Sequence, residues 1–250
     1  MFQGRPSFAR MVSVATVAAS CLAAAACGSS ASSGTASPSS TADPLASMTA
    51  AKIQQQAIAN AKAASSLTMA GIVTQSGQTY TIDLGIKHSQ GCAGTVGIGS
   101  QGSLKLVMVG QTVYLNPDKQ FWTSNAGSGA SAVIALVNGR YIKTTTSDKN
   151  ASGMSSLCSV SKLLTSGSSG TVTAIKGPVT TLNGTRVLQL KASDGTTVYV
   201  TDTSKPQLVE AVAPKSAKNG SGRIVFTIGA PVMLTVPPSS QVIDGSKLNF

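Results

Sequence analysis

From Leu67 onward the chain repeats one pattern: short runs of alternating apolar and polar residues, separated by turn signals. Tyr80, Ile82, Leu84 and Ile86 alternate with Thr79, Thr81, Asp83 and Lys87, the period of a strand with one face buried. Leu104, Leu106 and Met108 form another such set. Residues 112–115 and 121–123 read as short strands around the turn Asn116-Pro117-Asp118, and 139–144 as one more. Strands resume at 171–176, 185–191, 196–201, 207–213 and 222–228. Asn183-Gly184 and Asp194-Gly195 fall between these runs, and such dipeptides are the strongest short hairpin signals. Helical spacing is confined to 45–65 (Leu45, Met48, Ile53, Ala57, Ile58, Ala61), 130–137 and 152–164. Gly110-Gln-Thr-Val-Tyr-Leu115 echoes Gly195-Thr-Thr-Val-Tyr-Val200, which suits one long, curved sheet made of two related meanders. The expected class is therefore α+β, with an antiparallel sheet.

The sequence before this pattern has another character. Arg5 and Arg10 precede an apolar, small-residue run from Met11 to Ala26, the layout of a secretory signal. That run is too short and too rich in Ala for a transmembrane helix. Cys27 follows at once and resembles the lipobox cysteine of bacterial lipoproteins, whose thiol is diacylated and becomes the mature N-terminus. Lipoboxes usually carry Leu three residues before the Cys, whereas Ala24 stands there and the nearest Leu is Leu22. Cys21 is the competing site, and a secreted protein cleaved near Ala26 is the alternative reading. Gly28 to Pro44 is low in complexity and broken by Pro38 and Pro44, which makes it a flexible tether. The expected division is residues 1–26 as signal peptide, 27–44 as lipid-anchored tether and 45–250 as folded domain. The expected location is the extracytoplasmic face of the cell membrane, with the N-terminal lipid as anchor.

Charge and cysteine usage narrow the function. The formal net charge is +11, of which Arg5 and Arg10 contribute two. The basic residues are spread singly, without a basic helix or an aromatic-interleaved stripe, which argues against nucleic acid. A diffuse positive field facing anionic headgroups or envelope polymers fits better. Beyond the leader only Cys92 and Cys158 remain, and outside the cytoplasm such a pair reads as one disulfide. Two free thiols or a metal pair is the alternative, but no further ligands cluster nearby and His88 is the chain's single histidine.

Catalysis needs clustered titratable groups, and they are few here. Asp118, Asp148, Asp194, Asp202 and Asp244 lie in turn contexts, which leaves Asp83 and Glu210 as strand acids. No nucleophile elbow accompanies His88, and no metal motif is present. Gly97-Ile-Gly-Ser-Gln-Gly102 matches a dinucleotide fingerprint in form, but a strand pattern follows it instead of a helix. No enzyme activity and no cofactor are expected.

Several short segments together resemble a known group. After the lipobox and tether come Ala57-Ile-Ala-Asn-Ala-Lys-Ala-Ala-Ser-Ser-Leu67, Ile82-Asp-Leu84, Val113-Tyr-Leu115 and Trp122. Leu182-Asn-Gly184, Val198-Tyr-Val200 and Val236-Pro-Pro238 follow. This arrangement is similar to the actinobacterial LppX/LprG-type lipoproteins, whose fold is LolA/LolB-like. The resemblance implies a half-barrel, a single curved antiparallel sheet with helices packed on the concave face. It also implies a gap between sheet and helices that takes the acyl chains of a lipid or lipoglycan, bound or shuttled between envelope layers. The cavity-lining candidates carried over are Ile58, Tyr80, Ile82, Leu84 and Ile86 from the first helix and strands. Leu104, Leu106, Met108, Tyr114 and Leu157 complete them. An envelope transporter or another envelope protein is a further expected partner. The alternative function is a lipid-anchored protein-interaction domain with a filled core and no cavity.

Overall fold

The computed structural model describes residues 43–148, 151, 154–166, 174–217 and 220–247. The expected leader, Cys21, Cys27 and the expected tether up to residue 42 lie outside the described residues, as do 152–153 and 171–173 of the expected elements. The first helix, α1 (Ala50–Ala63), begins five residues later than the apolar spacing predicts. A turn around Leu45 precedes it, and Thr49 caps it by accepting a hydrogen bond from the Lys52 N–H. Ala50, Ile53, Ala57 and Ala61 form its buried stripe.

Five strands follow: β1 (Ser66–Gln75), β2 (Gln78–Lys87), β3 (Gly91–Ile98), β4 (Ser103–Val109) and β5 (Thr112–Pro117). Helices α2 (Lys119–Asn125) and α3 (Ala130–Val137) lead into β6 (Tyr141–Thr145). Then come α4 (Met154–Leu157), α5 (Val160–Ser166), β7 (Ala174–Leu182), β8 (Thr185–Ala192) and β9 (Thr197–Thr201). The last strands are β10 (Leu208–Ala213), β11 (Ser221–Ile228) and β12 (Val242–Asp244). All twelve strands of the described residues form one open, curved sheet in the order β12-β6-β5-β4-β3-β2-β1-β11-β10-β9-β8-β7. The class is α+β, as expected. One pair departs from the antiparallel rule: β12 runs parallel to β6, so the sheet is mixed at that edge.

Register shows why the concave face is apolar. Ile228, Leu67, Ile86, Cys92, Met108 and Val113 stand side by side across six strands. Period-two alternation sends all of them to one face. Helices α4 and α5 cover this row through Leu157, Cys158 and Val160. Helix α1 covers Leu188, Leu190, Val200 and Leu208 at the other end. Trp122, Val133 and Val137 of α2 and α3 pack on Ile142 and Ile243. The expected helix 152–164 is thus two short helices broken at Cys158-Ser159. No helix of the described residues is long and apolar enough to cross a membrane.

The convex face carries a strap. After β11, the Gly229 N–H donates to Ser66 O and the Ser66 hydroxyl donates to Ala230 O. Val232 then lies over Gly85, where an added Cβ would stand 3.0 Å from its Cγ1. The segment ends as β12 and caps the β6 edge. At the opposite edge, Pro178 and a register shift between Lys176 and Val179 interrupt β7, which blunts it against further strand pairing.

Cys92 and Cys158 form a disulfide, with Cα atoms 5.2 Å apart. It joins the second residue of β3 to the break between α4 and α5, closing a loop of 66 residues. By chain entropy such a loop stabilises the fold by about 4 kcal/mol. Replacing both cysteines by Ala should lower the unfolding free energy by about 2–4 kcal/mol in chemical denaturation, and a change under 1 kcal/mol would deny the bond its structural role.

Candidate ligand-binding site

An apolar space lies between β4–β6 and the pair α2–α3. It is a half-open cavity of about 520 Å³. Leu104, Leu115, Pro117, Ile142 and Thr144 form its floor, and Phe121, Trp122, Asn125, Ala126 and Val133 form its roof. Asp148, Ala151 and Gly245 stand at one end. The floor residues lie on the concave face because Leu104 opposes Pro117 and Leu115 opposes Ile142 across the ladder. Phe121 and Trp122 pack edge to face, with ring centroids 5.6 Å apart and planes at 87°.

Residues 121–123, expected as a strand, are helical in the structure, and the cause is Asp118. Its side chain caps α2: Oδ1 accepts from the Phe121 N–H at 2.7 Å, while Oδ2 accepts from the N–H and hydroxyl of Ser103, both at 2.8 Å. The cap pins α2 to the start of β4, so the roof is fixed to the floor at one corner. Gly102 makes room for this contact, since a Cβ there would strike Phe121 N and Asp118 Oδ1. The glycine-rich run that resembles a dinucleotide fingerprint therefore forms a short 3₁₀ turn, Gly99–Gln101, and seats a helix. Partial burial of the Asp118 carboxyl would raise its pKa. The hydrogen bonds from the Phe121 N–H, the Ser103 hydroxyl and the Ser103 N–H outweigh that and hold it below the ordinary 3.8.

The sequence candidates divide among several environments. Leu104 lines the cavity. Leu84, Ile86, Leu106 and Met108 are buried in the central core, with Ile82 and Leu157 packed against it. Ile86 and Met108 also border a smaller, more polar cleft of about 320 Å³ beside the disulfide, which His88 overlooks from the β2–β3 turn. Ile58 packs on the core beneath α1, and Tyr80 is half-buried opposite Val73 and Ile98. Tyr114 is a correction: its neighbours Val113 and Leu115 face the core, so its side chain projects from the convex face between Val107 and Lys143. The physical reason for the division is the disulfide, which draws α4–α5 down onto β3 and packs the middle of the concave face. Sequence reasoning missed Leu115, Pro117, Phe121, Trp122, Val133 and Ile142. Asp118 ahead of Phe121-Trp122 was the one available signal, an N-cap reading in place of a turn.

Glu210 and Asp202 are held in ion pairs, and Asp83 is in the open. Buried Glu210 binds Arg223 at 2.7 Å, a hydrogen bond that together with the opposite charge raises the guanidinium pKa. Buried Asp202 binds Arg186 at 2.6 Å. Asp83 is exposed, opposite Ala70 and Thr95.

An open half-barrel with an apolar cavity under its helices is the class that this geometry defines. The same fold is seen in the crystal structure of LprF from Mycobacterium bovis, at a TM-score of 0.53 and 14% identity over 76% of this chain and 97% of that one. The lipoprotein LppX of Mycobacterium tuberculosis aligns with a TM-score of 0.46 and 12% identity, over 73% of this chain and 96% of its own. No family model and no curated protein matches the sequence.

Asp118→Ala removes the cap and should cost about 1 kcal/mol, read as a lowered melting temperature. The sign with pH follows from the depressed pKa: the cap contributes fully above 3.8 and is lost as pH falls through the lower folded value. The wild-type advantage over Asp118→Ala should therefore vanish in acid, and a difference that persists there would contradict the assignment.

Proposed function

We propose that this chain is an extracytoplasmic protein, tethered through Cys27, that holds an acyl chain of a lipid or lipoglycan in the cavity beneath α2–α3. The observation that carries the reading is the cavity itself: about 520 Å³, lined mainly by aliphatic and aromatic side chains. That volume lies within the ordinary range of small-ligand pockets, about 300–1,000 Å³. It suits one chain or part of a lipid better than a bundle of chains. The half-open shape leaves a polar headgroup room outside, near Thr144 and Asp148.

The energetics allow exchange without an energy source. Each methylene gains about 0.8 kcal/mol on leaving water, whether it enters a pocket or a bilayer. Transfer between the two is then close to neutral, and an envelope transporter or other partner could set its direction. The competing reading, a protein-interaction domain, draws on the packed centre of the sheet beneath α4–α5.

Binding of a fluorescent fatty-acid probe separates the two. Ala126→Phe places a ring into the cavity from its roof and should weaken the probe by at least about tenfold, or 1.4 kcal/mol. Ile175→Phe, on the exposed β7 edge, should leave it unchanged. Equal affinity in wild type and Ala126→Phe, or no uptake by either, would favour the interaction domain.

A further inference from the structure

Helix α3, Ala-Ser-Ala-Val-Ile-Ala-Leu-Val, contains no charged residue and only one hydroxyl. Val133 faces the cavity and Val137 is buried. The opposite side is turned to solvent: Ala132 and Ala135 are exposed, and Leu136 is 52% exposed. A helix apolar on both sides normally lies inside a protein or against lipid. Here it is the outer wall of the molecule.

Two cations border it, and the carboxylate beside them, Asp118, is committed to the Phe121 N–H and Ser103. Lys119 lines the groove beside Ile134 and Ala135 of the helix. Arg140 stands directly at the helix end, where its Nε and Nη2 donate to the Val137 and Leu136 carbonyls, at 3.2 and 2.8 Å. The guanidinium is thereby held beside the exposed leucine. An exposed apolar face with cations along its border is the signature of a segment that lies in a membrane interface.

We infer that the outer face of α3 docks on an anionic lipid surface, with Leu136 entering the headgroup region and Arg140 and Lys119 meeting the phosphates. Charge complementarity selects this occupant, and the net positive charge that remains without Arg5 and Arg10 adds to the attraction. A single eight-residue helix offers a small area, below the roughly 1,000 Å² that a stable protein interface needs. Docking would bring the roof of the cavity into contact with the bilayer. An acyl chain could then pass between bilayer and cavity without crossing water. The inference rests on the proposed function for this last step, while the docking itself does not.

Amide hydrogen exchange across 130–137 tests it on the unmodified full-length chain, with vesicles of phosphatidylcholine alone or mixed with phosphatidylglycerol. An anchor would hold the protein on both vesicle types, so the comparison isolates the helix. Exchange should slow by about tenfold on the anionic vesicles. The slowing should relax in high salt and be absent in Leu136→Asp, a surface change that leaves the core intact. Fatty-acid probe affinity measured on the same variant should remain at the wild-type value. Loss of docking with retained probe binding separates the two readings, and docking without any probe binding would sink only the proposed function. Exchange that is unchanged on anionic vesicles would overturn the inference, as would equal slowing in Leu136→Asp. Slowing that grows with protein concentration in the absence of lipid would assign the face to a second copy instead. Slowing only after addition of envelope proteins would assign it to a protein partner.

Discussion

The Cys92–Cys158 bond ties the middle of the sheet to the break between two short helices, and the division of the concave face follows from it. Neither α4 nor α5 is long enough to be stable alone in water. Held down by the bond, they bury Leu157 and Val160 against Leu84, Ile86 and Met108, so the centre of the sheet carries a packed core. Helix α1 fills the β8–β10 end with alanines that allow close approach. Open apolar space therefore remains toward the third region, where α2 and α3 bridge β4 and β6.

Both edges of the open sheet are blunted. A long sheet that does not close presents two rows of unpaired backbone groups, a liability in any soluble domain. Pro178 interrupts one row, and β12 covers the other after the strap has crossed the convex face. Val232 over Gly85 and the Ser66–Ala230 hydrogen bond fix the path of the strap. Because β12 and the turn after it end beside the cavity, where Gly245 contributes to its wall, the same segment that caps the edge also borders the site.

Much of this architecture is legible in the sequence because period-two alternation is a direct record of burial. The run Tyr80 to Ile86, the Leu104 to Met108 set and the two hairpin dipeptides fall where the ladder places them. The site is less legible. Phe121-Trp122-Thr123 has the composition of a strand, and a three-residue run cannot outweigh the cap supplied by Asp118. Tyr114 shares its strand with two core residues, and one position of register decides its face. The Leu84 and Leu106 stripes carry the same pattern whether they line a cavity or a packed core. Only the positions of α4 and α5, set by a covalent bond between residues far apart in sequence, separate these outcomes.

The central claim is that the β4–β6 cavity holds an acyl chain. Native mass spectrometry of the full-length chain, released in mild detergent, tests this most directly. The account predicts a population carrying one non-covalent lipid that dissociates on collisional activation, and a smaller such population in Ala126→Phe. Recovery of only the lipid-free mass, with covalent N-terminal acylation as its sole addition, would contradict it.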